Sequence, residues 1–363
     1  LSSLPHTISF SPLNISLPSG HDVVLSRRDL FDARFQLISA DDSTETETGH
    51  GRSEIEFIDA PSDLVPGVYE GGLKTWECSL DLVACLSSIY GPGISNALKQ
   101  KRILELGCGT AVPSLYLIHS IFSAESSANA GVHVHLQDYN ELVFRLVTIP
   151  NIILAWYMSP ASSTYRASGP TEDSERHALA DEDDNDPTPL PPADPSQPGE
   201  LPLTSGLKTA FLESLKAYGI HLKLFSGSWS TFDVERAGGP YDVLLTSETI
   251  YRTASLNALV DLMRRATAIV GQNATAASLE DAASRLSLSG SKGLEALASA
   301  PYLCLVAAKL VYFGVGGGVN EFVQAVENSS SGLDAGGELS RSSVQTIWET
   351  SKGVKRSIMR VVW

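Results

Sequence analysis

The residues best able to do chemistry fall in a few short strings. Glu105-Leu106-Gly107-Cys108-Gly109-Thr110 joins an acid to two closely spaced glycines. Glycines let backbone approach a ligand closely, and an acid beside them can accept its hydrogen bonds. A dinucleotide fingerprint needs a third glycine, but Val112 stands in that place and Pro113 follows, which damages any pyrophosphate seat. Asp138, inside Gln137-Asp138-Tyr139, lies 31 residues beyond Gly107 and is placed to bind a ribose diol. A minimal unit spaces the two by about 20 residues, and the loop 123–131 accounts for the excess. Glycines and a ribose acid without a pyrophosphate seat describe a ligand with adenosine and no phosphate, as S-adenosylmethionine is. Gly314-Val315-Gly316-Gly317-Gly318 tempts a phosphate-loop reading, yet Val319-Asn320 stand where Lys-Ser/Thr is required. A turn needing several positive φ values is expected there instead. His133 and His135 alternate around Val134 like a metal pair, but no third ligand accompanies them. They read as one exposed face of a strand, and no metal is expected.

These strings sit where strands give way to helices. Residues 102–106 are a short apolar strand ending at Gly107, and 110–122 carry Val112, Leu115, Ile118 and Phe122 at helical spacing. Residues 133–136 form a second strand, and a helical piece covers about 141–157. A helix is expected at 207–217, strands at 219–225, 241–246 and 302–307, and helices near 254–270 and 321–327. The runs 344–348 and 358–363 alternate as a closing antiparallel pair would. Five strand–helix alternations and a hairpin imply an α/β fold with a doubly wound, mostly parallel seven-stranded sheet, Rossmann-like, with an antiparallel edge strand. Ligands of such sheets lie beyond the carboxyl ends of the strands, where Gly107, Asp138 and Ser247 all fall. Residues 1–60 read as an irregular N-terminal arm with an acidic run, and 61–363 as one domain with two interruptions. The acidic, Pro-rich stretch 159–206 is expected to be disordered, and the Ala/Ser-rich stretch 271–297 is a possible second insertion.

Composition sets further bounds. Across 363 residues, 43% are hydrophobic, 19% are charged and the mean hydropathy is +0.01, which excludes a wholly disordered chain. The net charge of −16 is concentrated: residues 41–60 carry −6 and 171–200 carry −9, leaving the body near neutral. A broadly basic nucleic-acid surface is therefore not expected. No run approaches 18 apolar residues, so no spanning helix is expected. Cys78, Cys85, Cys108 and Cys304 show no zinc spacing and read as buried free thiols in a reducing compartment. The sequons at Asn14, Asn273 and Asn328 are of a kind that arises by chance in Ser-rich chains. Residue 1 is Leu, so the natural N-terminus is expected upstream, and nothing supports a signal peptide.

Several longer strings carry a family resemblance. They are Val65-Pro66-Gly67-Val68-Tyr69-Glu70-Gly71-Gly72-Leu73-Lys74-Thr75-Trp76-Glu77-Cys78, the Glu105–Thr110 turn, Gln137-Asp138-Tyr139-Asn140 and Val147-Thr148-Ile149-Pro150-Asn151. Gly227-Ser228-Trp229, the stretch 245–251 and Tyr312-Phe313-Gly314-Val315-Gly316-Gly317-Gly318 continue the match. From about residue 60 onward the chain resembles the seven-strand S-adenosylmethionine-dependent methyltransferases, and within them the histidine protein methyltransferases. The resemblance implies that Thr75, Trp76, Glu77, Cys78 and Ser79 line the methionine end of the cofactor and that Gly107 lies beneath it. It implies that Gln137, Asp138 and Tyr139 hold the ribose and flank the adenine, with Gly227, Ser228 and Trp229 on the far side and Ser247 closing the pocket. Glu248-Thr249-Ile250-Tyr251 resembles the acid-x-x-Tyr motif of related protein methyltransferases. Glu248 would orient a substrate imidazole, and Tyr251 would serve as a wall or second hydrogen bond. Taken singly, Trp76 and Trp229 could be core aromatics, and Ser247 or Glu248 could cap the following helix. The implied activity is methylation of a protein histidine on its tele nitrogen, in the third large-subunit ribosomal protein, in cytoplasm and nucleus, with no direct nucleic-acid or membrane contact. A lysine methyltransferase of the same fold, or a non-catalytic binder of basic ribosomal proteins, stands as the alternative. The Tyr312–Gly318 string favours histidine, and the joint presence of Gly107, Asp138 and Ser247 favours a working site.

Overall fold

In chain order the strands are β1 (Thr7–Ser16), β2 (Asp22–Arg28), β3 (Arg102–Leu106), β4 (Val132–Asp138) and β5 (Gly199–Pro202). They continue with β6 (Ile220–Ser226), β7 (Val243–Ser247), β8 (Leu303–Lys309), β9 (Ser343–Thr350) and β10 (Arg356–Val362). The main helices are α1 (Glu77–Tyr90), α2 (Val112–Phe122), α3 (Ile149–Tyr157), α4 (Ser205–Ala217), α5 (Thr253–Thr267) and α6 (Val319–Asn328). This computed structural model describes residues 1–33, 36, 72–168, 190–267, 291–312, 316–329, 342–351 and 353–363. The acidic run 41–48, the residues 169–189 and 271–290, and the string 65–71 lie outside them.

Seven strands form one sheet in the order β6-β4-β3-β7-β8-β10-β9. The five from β6 to β8 are parallel, and β10 runs against both β8 and β9. The expected reversal therefore sits at β10, one strand in from the edge. Strand residues alternate between two cores, as a sheet covered on both faces requires. Ile103, Val243, Leu245, Leu303 and Leu305 point to the side of α1, α2 and α3, where Leu82, Leu86, Leu115 and Ile152 are buried. Leu104, Leu106, Leu244, Cys304 and Val306 point to the side of α5 and α6, against Leu259, Met263 and Phe322. All four cysteines are buried and unpaired. Strand order reverses between β3 and β7, so a crevice opens beyond their carboxyl ends, the place where ligands of such sheets bind.

Within residues 1–33, the arm expected to be irregular holds regular structure. β1 and β2 pair antiparallel, and β5, from within the stretch expected to be disordered, adds to β1 through Thr7↔Pro202 to Phe10↔Gly199. Ile8, Phe10, Ile15 and Leu25 are buried in this three-stranded sheet and join the same hydrophobic core as α1, α2 and α3. Order continues on both flanks of 169–189. Helical turns occupy 160–168, and the Tyr157 hydroxyl donates to the Pro191 carbonyl at 2.6 Å. Composition failed here because a few apolar residues suffice when a neighbouring strand supplies the ladder. At 291–299 helical turns also form, and Leu297 is buried, which shortens the possible second insertion.

The segment 141–157 joins the two sheets. A π-turn at Phe144–Thr148 separates Glu141–Val143 from α3, just before Pro150. Proline has no N–H for the carbonyl four residues back, here Leu146. That carbonyl instead accepts the Arg28 Nη1 donor from the end of β2 at 2.7 Å. Arg28 is buried, and its Nε lies 2.8 Å from Asp32 Oδ2. Among the described residues no single helix is long and apolar enough to cross a membrane.

Candidate functional site

Gly107 and Gly109 adopt positive φ, +61° and +50°, at the β3–α2 turn. The reason for glycine is partly different from the one expected. A Cβ on Gly107 would lie 2.7 Å from Thr249 Cγ2, and one on Gly109 would lie 2.9 Å from the Gly72 carbonyl oxygen. Both glycines admit neighbouring protein segments that close over the turn. The carbonyls of the turn are held from behind: Thr148 Oγ1 donates to Gly109 O at 2.7 Å, and Asn151 Nδ2 donates to Thr110 O at 3.1 Å. Asn151 Oδ1 in turn accepts the backbone N–H of Arg28 at 2.8 Å. A chain of hydrogen bonds thus runs from β2 to the glycine turn.

Acids occupy both sides of this turn. Glu105, at the end of β3, is fully buried and accepts the Ser114 N–H at 3.0 Å and its hydroxyl. Burial pushes its carboxyl up to about 7, against the two hydrogen bonds from Ser114 that favour the charged form. Asp138 Oδ2 accepts the Gly109 N–H at 2.9 Å and Oδ1 the Asn140 N–H at 3.2 Å. Burial raises its carboxyl too, opposed by these backbone donors. Gln137, expected to touch a ribose, is spent on protein. Its Oε1 accepts from Trp229 Nε1 at 2.8 Å and from Gly107 N at 3.3 Å, and its Nε2 donates to Gly227 O at 2.7 Å. Its role is to hold the Trp229 indole and the Gly227 loop against β4. Ser228 caps the short turn Trp229–Thr231.

The third wall is the segment before α1. Thr75 Oγ1 lies 3.0 Å from Thr110 Oγ1, fastening that segment to the glycine turn, and Ser79 Oγ donates to Trp76 O at 2.7 Å. Cys78 is buried, with its thiol beside the Glu248 carboxylate. Glu248 follows β7 in a left-handed conformation, φ +57°, with its N–H still donating to Ala307 O at 2.9 Å. Glu248 is 8% exposed at its side chain, and its buried Oε1 lies 3.5 Å from Lys309 Nζ. The same ammonium lies 3.3 Å from Glu77 Oε2 and 4.6 Å from the centre of the Trp76 ring. Burial raises the Tyr312 hydroxyl and the Cys78 thiol, and the adjacent Glu248 carboxylate raises both further. Tyr312 thus stands at Glu248 in the place considered for Tyr251. The Tyr251 ring is 6.3 Å from that of Tyr312, and burial pushes its hydroxyl up to about 12.

One cleft gathers Trp76, Ser79, Gly107, Asp138, Tyr139, Trp229, Ser247, Glu248 and Tyr251 around about 630 Å³ of empty space, part of it open to solvent. Thr75, Glu77, Cys78, Gln137, Gly227 and Ser228 are chain neighbours of these residues and do not themselves line the cleft. Gly72, Lys74, Cys108, Gly109, Thr110 and Thr249 also line it and went unassigned by sequence, although all lie inside the strings that carried the resemblance. A larger hollow of about 1340 Å³ beside Trp156 and Thr204 holds none of the candidate residues. The donor set fits S-adenosylmethionine. An acid ends β4, Tyr139 is a 61% exposed aromatic at the rim with Trp229 across from it, and the turn beneath begins its helix with Val112-Pro113. Gly317 is there for close approach: its N–H donates to Tyr251 O at 3.0 Å, and a Cβ would lie 2.4 Å from that oxygen. Of the described residues in that string only Gly316 has positive φ, fewer than expected. His135 is also a correction. It is buried beneath Phe225 and Tyr241, with Nδ1 2.8 Å from the Tyr241 hydroxyl, because β4 is an inner strand covered on both faces. Among the described residues no group of three His, Cys, Asp or Glu side chains could hold a metal ion.

Known proteins match as follows. No family model matches the chain. It is similar to histidine protein methyltransferase 1 of Saccharomyces cerevisiae, with 32% identity over 305 residues, 82% of this chain and 67% of that protein. The Schizosaccharomyces pombe protein of the same name is 29% identical over 88% of this chain and 74% of its own length. The mouse homolog is 28% identical over 83% and 59%. Among solved structures, a methyltransferase from Aquifex aeolicus aligns at 9% identity with a TM-score of 0.30, over 76% of this chain and 92% of that one. The CalH methyltransferase complex aligns at 12% with a TM-score of 0.32, over 92% and 73%. Neither adds to the fold read from the strand order. Identity at this level over most of both chains shows that the chain belongs to the histidine protein methyltransferase family, with S-adenosylmethionine as its cofactor.

Proposed function

We propose that this chain transfers a methyl group to the tele nitrogen of a histidine in a large-subunit ribosomal protein, the third by family resemblance, in cytoplasm and nucleus. The observation that supports it is the adjacency of β3 and β7. Parallel pairing from Ile103↔Val243 to Leu106↔Thr246 sets the glycine turn beside Ser247 and Glu248, so a cofactor on the turn ends next to a carboxylate. Bound S-adenosylmethionine supplies the sulfonium methyl. The protein then has little chemistry to add, because an imidazole of pKa about 6.5 is mostly neutral and nucleophilic at pH 7. What remains is placement of one ring nitrogen in line with the methyl and control of the tautomer. Glu248 does both: it accepts the N–H of the far nitrogen and stabilises the positive charge that grows on the ring. Trp76 and Tyr251 wall the approach, and Asp138 holds the ribose end. The test is incubation with labelled S-adenosylmethionine and ribosomal subunits that lack the modification, followed by mass spectrometry of the labelled peptide. Label on lysine, or on a protein outside the large subunit, would overturn the substrate assignment.

A further inference from the structure

Lys309, the last residue of β8, is a charged group the reaction above does not use. Its side chain is 16% exposed and meets three partners from two other parts of the chain. Its Nζ lies 3.5 Å from Glu248 Oε1 at the end of β7 and 3.3 Å from Glu77 Oε2 in the first turn of α1. It also stands 4.6 Å over the ring of Trp76, the residue at the N-cap of that helix. The remaining titratable groups around it are the Cys78 thiol of α1 and the Tyr312 hydroxyl, which accepts the Lys309 backbone N–H at 3.2 Å. The Arg356–Asp81 pair stands beyond them at 2.5 Å.

We propose that Lys309 is the positioning residue of the methyl-transfer site: it fixes the Glu248 carboxylate at the cofactor end of the cleft and ties the Trp76-Glu77 segment down beside it. The inference rests on the reading of Glu248 as the group that orients the substrate. Glu248 Oε1 is buried and makes no hydrogen bond, so the neighbouring ammonium is what compensates its charge. Burial alone would lower the Lys309 ammonium, but Glu248 and Glu77 outweigh it and hold the group above its ordinary value. A compact point charge on a flexible stem can be shared by two carboxylates and a ring face, which the planar fork of arginine could not do in the same space. Without the ammonium, the buried carboxylate would swing toward solvent or take up a proton, and either change removes it as an acceptor for the imidazole N–H.

The test is a double-mutant cycle on the full chain, with single-turnover methyl transfer at saturating S-adenosylmethionine and cofactor affinity by calorimetry. Lys309→Met keeps the aliphatic stem and removes the charge. Its rate should fall about ten- to a hundredfold, as for other groups that orient a catalytic side chain. Its cofactor affinity should stay within about threefold of wild type, the scatter of independent effects. Adding Lys309→Met to Glu248→Gln should then cost little more than the worse single change, because Lys309 acts through Glu248. Multiplying losses in the double variant, or a wild-type rate in Lys309→Met alone, would overturn the proposal. So would a tenfold loss of cofactor affinity, which would make Lys309 a support of the cleft instead. A wild-type rate in Glu248→Gln is the separate result that sinks the reading of Glu248, and this proposal falls with it.

Discussion

Asn151→Leu tests how the glycine turn is held. Asn151 is fully buried, and its side chain accepts the Arg28 N–H at 2.8 Å while donating to Thr110 O at 3.1 Å. Leucine has the same branched shape but is bulkier, so the change opens no cavity, removes the two hydrogen bonds and adds some overpacking. It leaves one buried N–H and one buried carbonyl without partners, each costing about 1–3 kcal/mol, for a total of roughly 2–6 kcal/mol. In a chain of this size 1 kcal/mol moves the melting temperature by about 2 °C, so a fall of roughly 4–12 °C is expected. The turn retains one anchor, because Thr148 Oγ1 still holds Gly109 O. Cofactor affinity should therefore weaken by less than about tenfold, under 1.4 kcal/mol. Differential scanning fluorimetry with and without S-adenosylmethionine reads both quantities, and Thr148→Val, which removes the other anchor, serves as the companion. A melting temperature within a degree of wild type, with unchanged affinity, would show that the chain of bonds from β2 to the turn carries no load.

Glu248→Gln keeps the size and an acceptor but loses the charge, so single-turnover transfer should slow by about one to two orders of magnitude while cofactor affinity holds; a wild-type rate would leave Glu248 a helix cap. Asp138→Ala should weaken S-adenosylmethionine binding by about 1–3 kcal/mol, and calorimetry showing equal affinity would move the ribose site elsewhere. His135 is held down to about 3, first by burial and then by the charges of Arg102, Lys223 and His133. The unfolded chain, with a value of about 6.5, takes up the proton first, so stability is intact above pH 6.5 and is lost as pH falls toward 3. The melting temperature of His135→Gln should accordingly decline less between pH 6.5 and pH 4.5 than that of wild type, and parallel slopes would refute the assignment.

Which features were legible follows from where their causes lie. β3, β7 and β8 could be read because a strand buried on both faces is a short continuous apolar run bounded by turns, and Arg102–Leu106 and Leu303–Lys309 have that form. Ser247 and Glu248 could be placed at the cleft because the parallel order fixes which strand ends meet. The three-stranded N-terminal sheet could not, since β5 has four residues and its partner β1 lies almost two hundred positions away in sequence. Lys309 escaped for the same reason: its partners Trp76, Glu77 and Glu248 are distant in sequence. Pro150 looked like one letter of a motif. Its consequence, a freed carbonyl at Leu146 taken by Arg28, is visible only when β2 is seen beside the helix.

Backbone strain adds a line of argument that no motif contains. Three non-glycine described residues adopt positive φ: Gln100, Ala111 and Glu248. Left-handed backbone costs an ordinary residue roughly 1–2 kcal/mol, and such costs persist where surrounding structure over-determines them. Gln100 stands at the opposite end of β3, where its side-chain amide donates to Asn129 O at 2.8 Å and closes a turn. Ala111 and Glu248 follow the carboxyl ends of β3 and β7, on either side of the strand-order reversal. At Ala111 the kink starts α2 beneath the turn, so that Val112 and Pro113 lead into the core. At Glu248 the N–H remains in the ladder with Ala307 while Thr249 Oγ1 locks to Thr246 Oγ1 at 2.7 Å, so backbone on both sides is fixed. Glycine would adopt that φ at no steric cost, yet it would remove the carboxylate that faces Lys309 and lines the cleft. A helix cap alone would not need an acid in this conformation, since a serine or aspartate in extended backbone caps as well. On the proposed role of Glu248, the strain is accounted for by aiming a carboxylate from the end of β7 into the cleft.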